Sequence, residues 1–137
     1  MGFALDAQLG RDCFELGRIG FCRLLLMNNA DIPWFILVPE TTRTELCDLA
    51  LADQQQVWEA VNAVSSFLRD NQPVDKLNVA AIGNIVRQLH VHVVGRREGD
   101  YCWPGVVWGS AIEKRYTDDQ VAAVVSSATE NLKGFTR

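Results

Sequence analysis

Nothing in the 137-residue sequence offers a membrane a foothold. No run approaches the ~20 consecutive apolar residues of a spanning helix, and the opening Met-Gly-Phe-Ala-Leu-Asp has no basic stretch ahead of an apolar one. A cytoplasmic protein without a membrane partner is expected. Positive charge is scarce too: 13 Lys and Arg against 17 Asp and Glu leave a formal charge of −4. With no basic cluster, a nucleic-acid partner is not expected, and any anionic ligand has to be captured locally. The four cysteines, Cys13, Cys22, Cys47 and Cys102, form no Cys-x-x-Cys pair, which removes zinc knuckles and dithiol redox chemistry and leaves thiols of a reducing compartment. Repeats, low-complexity tracts and long linkers are also missing, so residues 1–137 are expected to form one domain.

What remains is a series of patterned segments. Residues 6–11 read as a short helical turn. The apolar, β-prone runs 14–16 and 21–27, with Gly17 and Gly20 between them, read as an antiparallel hairpin. Trp34-Phe-Ile-Leu-Val38 is continuously apolar with Pro33 and Pro39 at its ends, which suits a central strand covered on both faces. From Asp53 the period changes. Val57, Ala60, Val61, Val64 and Leu68 recur at helical spacing until Asn71 and Pro73, and Asp53 with Gln56 has the form of a capping box, so a long amphipathic helix is predicted over about 53–70. Two further strands, about 76–82 and 88–94, flank the turn-forming Gly83-Asn84. Residues 103–108 read as irregular, and Thr117 with Gln120 caps a last helix carrying Val121, Val124, Val125 and Ala128. The sum is an α+β fold: a five-stranded antiparallel sheet, one long helix and a C-terminal helix.

The chain has only two histidines, and both sit in Gln88-Leu-His-Val-His-Val-Val94. On a strand, Gln88, His90 and His92 share one face while Leu89, Val91 and Val93 share the other. Three readings of the polar face are open. Two incidental histidines on a solvated strand are one. A metal site is another, but Cys47, Cys102, Glu98 and Asp100 give no recognisable spacing for the further ligands zinc requires, so neither metal nor cofactor is expected. The third is attack on phosphorus. Neutral imidazole is nucleophilic, forms a covalent phospho-intermediate and is displaced by water. One ring nitrogen must be held by a hydrogen bond so that the other aims its lone pair, and the phosphate oxygens must be neutralised. A second histidine two residues along supplies that second need.

Segment 88–94 resembles the signature of the histidine triad family, His-φ-His-φ-His-φ-φ with φ apolar, with Gln88 in place of the first histidine; the Gly95-Arg96 pair after it occurs in some members. The resemblance spans about 14–108, leaving 109–137 as a C-terminal helical extension. Phe35-Ile-Leu-Val-Pro39 is similar to the family's strand ending in Val/Ile-Pro, Gly83-Asn84 stand where the family has Gly-Gln, and Trp103-Pro104 resembles a Trp-Pro of one branch. The resemblance implies a hydrolase or transferase acting at a nucleotide α-phosphate, of a nucleoside phosphoramidate or a dinucleoside polyphosphate. His90 would be the nucleophile and His92 the ligand of the phosphate oxygens, with the carbonyl of Gln88 holding the nucleophile and its amide free to meet phosphate. Gly83 and Asn84 are implied as phosphate contacts, and Asn28 lies near the region where members bind ribose. Trp103 is implied to approach the partner's site in a two-fold homodimer. Phe14, Leu16 and Leu25 are candidates either for a base-pocket wall or for the core. Trp34 stands where many members have a further histidine, and Ile85 where some have a leaving-group hydroxyl, so each removes a polar helper. An alternative of another class follows: a homodimeric module that binds nucleotide and turns nothing over.

Overall fold

Alternation along the strands sorts the apolar residues into two layers. Leu24, Leu26, Phe35, Leu37, Val91 and Val93 turn to one face of the sheet, and Leu25, Trp34, Ile36, Val38 and Val94 to the other. Both faces are therefore buried. In the computed structural model, which describes residues 2–137, the chain runs α1 (Ala7–Asp12), β1 (Cys13–Ile19), β2 (Cys22–Met27), β3 (Trp34–Pro39), a 3-10 turn (Leu46–Asp48), α2 (Leu51–Asn71), β4 (Lys76–Ala80), β5 (Val91–Arg96), α3 (Asp118–Asn131) and β6 (Phe135–Thr136). All neighbouring strands pair antiparallel, in the order β4-β5-β3-β2-β1-β6.

The first face is covered by α2, whose Val57, Ala60, Val61, Val64, Phe67 and Leu68 are buried, and by Val125 and Ala128 of α3. Burying one such Leu or Val contributes roughly 1.5–3 kcal/mol, so the i, i+3, i+4 spacing of α2 is the main force holding it to the sheet. Among the described residues no long helix covers the second face. Leu9, Ile32 and Val107 do so, with Phe3, Leu5, Val86 and Trp108 packed around them. Every residue of β3 is buried between the two layers, as its continuous apolar run predicts. Phe14 and Leu16 belong to the first layer and Leu25 to the second, so these three serve the core.

The α+β architecture, the long helix and the C-terminal helix match the sequence expectation, with differences that have local causes. The sheet has six strands, not five: β6 is only two residues long, too short for a periodic signal, and pairs Arg18 with Thr136 and Ile19 with Phe135. Gly17 permits it, because a Cβ there would collide with the Thr136 carbonyl and the Phe135 ring. Helix α2 starts at Leu51 rather than Asp53. Its N-cap, Ala50, makes no side-chain bond, and the Ala50 carbonyl accepts from the amides of Asp53 and Gln54, so Asp53 lies within the first turn beside the positive end of the helix dipole. The box expected of Asp53 and Gln56 does not form. That of Thr117 and Gln120 does, on α3. The strands expected at 76–82 and 88–94 are observed as β4 and β5, so 81–90 leave the sheet as a loop and Gln88 and His90 precede the strand. Among the described residues no helix is long and apolar enough to cross a membrane.

Candidate active site

His92 enters the site by register. It lies on β5 opposite Ile36 of β3 and Ala80 of β4, and its ring leaves on the second face of the sheet. His90 sits one residue before β5 with its ring 4.9 Å from that of His92, the two planes at 68°. Each histidine is only 5% exposed. The Nδ1 of His90 is 2.6 Å from the carbonyl oxygen of Gln88. A carbonyl can only accept, so Nδ1 carries a proton, and in the neutral form of the ring the lone pair lies on Nε2.

Gln88 supplies that carbonyl from its backbone, while its side chain does something the sequence reading does not foresee. Its Oε1 accepts from the amide of Asp6 at 2.8 Å and its Nε2 donates to the carbonyl of Ala4 at 2.9 Å. An amide carries a donor and an acceptor side by side, which matches the N–H and C=O of an extended chain. Gln88 thus ties down the segment that brings Phe3 and Leu5 onto the second face, and one of its amide hydrogens is committed there rather than to a ligand.

A chamber of about 730 Å³ opens beside His90, between the loop before α2 and the loop from β4 to β5. Gly83, Asn84 and Gln88 line it with His90. Arg87, which the motif alone does not single out, is the cation of this lining, and Glu45 is its anion. Asn28 and Trp103 are not brought here. The Oδ1 of Asn28 accepts from the amide of Tyr116 at 2.8 Å and so fixes the approach to α3. Trp103 lies under the Arg96 guanidinium, 5.5 Å from ring to cation, and lines a different cavity of about 520 Å³ along the open edge of β4 with Val79 and Val106. Among the described residues no group of three or more His, Cys, Asp or Glu side chains gathers to hold a metal.

Trp34 is the residue whose contribution the motif hides. Its indole N–H donates to Nδ1 of His92 at 3.0 Å, so the tryptophan brings a polar helper where the comparison of residue types suggests one is removed. Trp108 stands edge-on to both, 5.3 Å from His92 and 6.2 Å from Trp34. The signal was present in the parity of β3 and β5: Trp34 and Ile36 share a face, and Ile36 pairs with His92.

Burial first, and the neighbouring His90 second, push the His92 pKa from 6.5 down to about 3. The folded protein therefore binds fewer protons than the unfolded chain between those two values. The resulting stability is fully present above pH ~6.5 and is lost at roughly 1.4 kcal/mol per unit as the pH falls toward 3. On moving from pH 7 to pH 5 the wild type is expected to lose about 2 kcal/mol more than His92→Gln, measured by urea unfolding. Parallel losses in the two proteins would show that His92 titrates normally.

The sequence profile of the HIT domain matches residues 12–99. Among solved structures the chain is similar to a histidine triad (HIT) protein from Sinorhizobium meliloti 1021, with 40% identity over 95% of this chain and 97% of that one and a TM-score of 0.90. A histidine triad protein from Marinobacter aquaeolei VT8 is 37% identical over 99% of this chain and 100% of that one, with a TM-score of 0.92. One from Bradyrhizobium japonicum is 33% identical over 96% and 99%, with a TM-score of 0.91. No curated protein sequence matches the chain.

Proposed function

The chain belongs to the HIT domain family, whose members are generally nucleotide-binding hydrolases and transferases, and from that premise we propose that it cleaves a nucleotide at its α-phosphate through His90. The substrate class is a nucleoside phosphoramidate or a dinucleoside polyphosphate. Nε2 of His90 attacks phosphorus and the P–N or P–O bond to the leaving group breaks; a leaving amine takes its proton from solvent, and a leaving phosphate departs as the anion. Water then attacks the nucleotidyl-histidine, releasing the nucleoside monophosphate and restoring the ring. His92 contacts the phosphate oxygens, and Gly83 and Asn84 border the space they occupy. The observation that carries this reading is the 2.6 Å bond from His90 to the Gln88 carbonyl, because in the neutral imidazole it places the proton on the inner nitrogen and aims the lone pair of the outer one.

A second reading has its own support. Ile85, where a leaving-group hydroxyl would stand, is 92% exposed and its side chain has no donor, and the Gln88 amide is partly spent on Ala4 and Asp6. Loss of one transition-state donor costs on the order of 10²-fold or more, which points to a binding module if no other donor serves. Purified protein incubated with adenosine phosphoramidate and with diadenosine polyphosphates distinguishes the two. Time-dependent release of AMP from either substrate is expected. Background release from both, with stabilisation by AMP in a thermal shift, would establish the module instead. A homodimer is part of the proposal: β4 is an open sheet edge with Val79 exposed on it and Val106 nearby, the kind of edge that a second copy covers. Sedimentation at twice the 15.3 kDa chain mass is the expected result.

A further inference from the structure

We propose that Trp34 is a positioning residue that fixes His92 as an Nε2–H hydrogen-bond donor, giving the two histidines of the site opposite tautomers. The inference rests on the reading of His90 and His92 as a phosphate site and adds what assigns their roles. An indole N–H donates and never accepts, so the 3.0 Å bond from Trp34 Nε1 requires an unprotonated Nδ1 on His92. The ring's single proton then lies on Nε2. The partner of His90 has the reverse character: the Gln88 carbonyl accepts and never donates, so the proton of His90 lies on Nδ1 and its lone pair on Nε2.

Neither partner can exchange roles, and neither histidine can therefore drift to the other form without breaking its hydrogen bond, which is buried for His92 and part-buried for His90. Toward a phosphoryl group the pair presents one lone pair and one N–H. The first is a nucleophile and the second a ligand for the non-bridging oxygens. The wrong tautomer of His92 would turn a lone pair toward those oxygens and repel them, and a doubly protonated ring would set its Nδ1–H against the indole N–H.

The fold holds Trp34 to this task. It pairs with Val94 across the β3–β5 ladder, one same-face step from the Ile36–His92 pair, which makes the indole and the imidazole diagonal neighbours. Trp108 packs against the Trp34 ring at 78° and against His92 at 79°, so both planes are confined from a second direction. Trp34 is itself 5% exposed, which leaves little room for another orientation or for water to replace its hydrogen bond. A histidine at position 34 could donate or accept and would leave the choice open. Tryptophan closes it.

The test reads the tautomers directly. In ¹⁵N-histidine NMR of the full chain at pH 7, His92 is expected as the neutral Nε2–H form and His90 as the neutral Nδ1–H form. Trp34→Phe keeps an aromatic ring but no donor. It should shift the His92 nitrogens toward a tautomer mixture and, because His92 meets phosphate in substrate and transition state alike, lower kcat for AMP release roughly 10- to 100-fold and raise KM with it, and Trp34→His should recover part of each. Wild-type His92 found as the Nδ1–H form would overturn the proposal, as would an unchanged His92 spectrum in folded Trp34→Phe. The wild-type spectrum decides even where Trp34→Phe does not fold. Because the spectrum needs no turnover, an inactive wild type showing the stated tautomers would support the lock while removing the hydrolase reading.

Discussion

His90→Ala is expected to lower release of nucleoside monophosphate by at least about 10³-fold while leaving the fold intact, because on the proposed mechanism it removes the attacking atom and not a supporting contact. The ring contributes one part-buried hydrogen bond, to the Gln88 carbonyl, and it stands just before β5 rather than within the apolar layers, so the stability cost is small beside the catalytic one. Nucleotide affinity should change less than tenfold, since His92, Asn84 and the chamber walls remain. Initial rates and equilibrium binding on the same preparation check both halves. A residual rate within tenfold of wild type would mean that water attacks phosphorus directly and that His90 only binds. Substitution of His92 should act differently, lowering the rate and the affinity for phosphate together, because the group it donates to is present in substrate and transition state alike.

Arg96→Ala is the substitution with the largest expected effect on stability, about 3–5 kcal/mol in urea unfolding. Arg96 is 1% exposed at the end of β5, and its guanidinium holds both oxygens of Asp100, at 2.7 and 2.9 Å. It also donates to Oδ1 of Asn78 at 3.1 Å. The hydrogen bond and charge of each partner hold the other ionised: Asp100 stays below the usual carboxylate range and Arg96 above its ordinary value. Removing the cation alone strands a buried carboxylate, so Arg96→Ala with Asp100→Ala should be less destabilised than the sum of the two single variants. Equal and additive losses would show that solvent reaches the pair. A catalytic effect should accompany the loss of stability. The pair closes the turn after β5, and that turn leads into the segment that packs Trp108 against His92.

How much of this is legible in the sequence follows from the range of the interactions involved. Period-2 and period-3.6 patterns come from local geometry, and they place β1, β2, β3, α2 and α3 within a few residues. The parity of Leu89-His-Val-His-Val93 likewise puts both histidines on the face away from α2, as observed. What depends on partners far along the chain is not legible. β6 exists only because Gly17 leaves space for it, and the side chain of Gln88 is claimed by Ala4 and Asp6, more than 80 residues away. The resemblance casts Asn28 as a ribose neighbour, but its hydrogen bond to Tyr116 depends on where the chain returns before α3. Trp34 reads as a lost helper when residue types are compared one at a time. Only the β3–β5 register shows that it supplies an N–H to His92. Helix α2 starts early for a local reason: its first turn is closed on the Ala50 carbonyl, which accepts from the amides of Asp53 and Gln54, so Asp53 lies inside the helix and is not its cap.

The central claim is that Nε2 of His90 forms a bond to phosphorus, and the stereochemical course at that atom tests it most directly. With a substrate chiral at the α-phosphorus, made with sulfur and isotopic oxygen, two successive in-line displacements each invert the centre. The account predicts net retention of configuration in the released monophosphate. Net inversion, the signature of a single displacement by water, would contradict it.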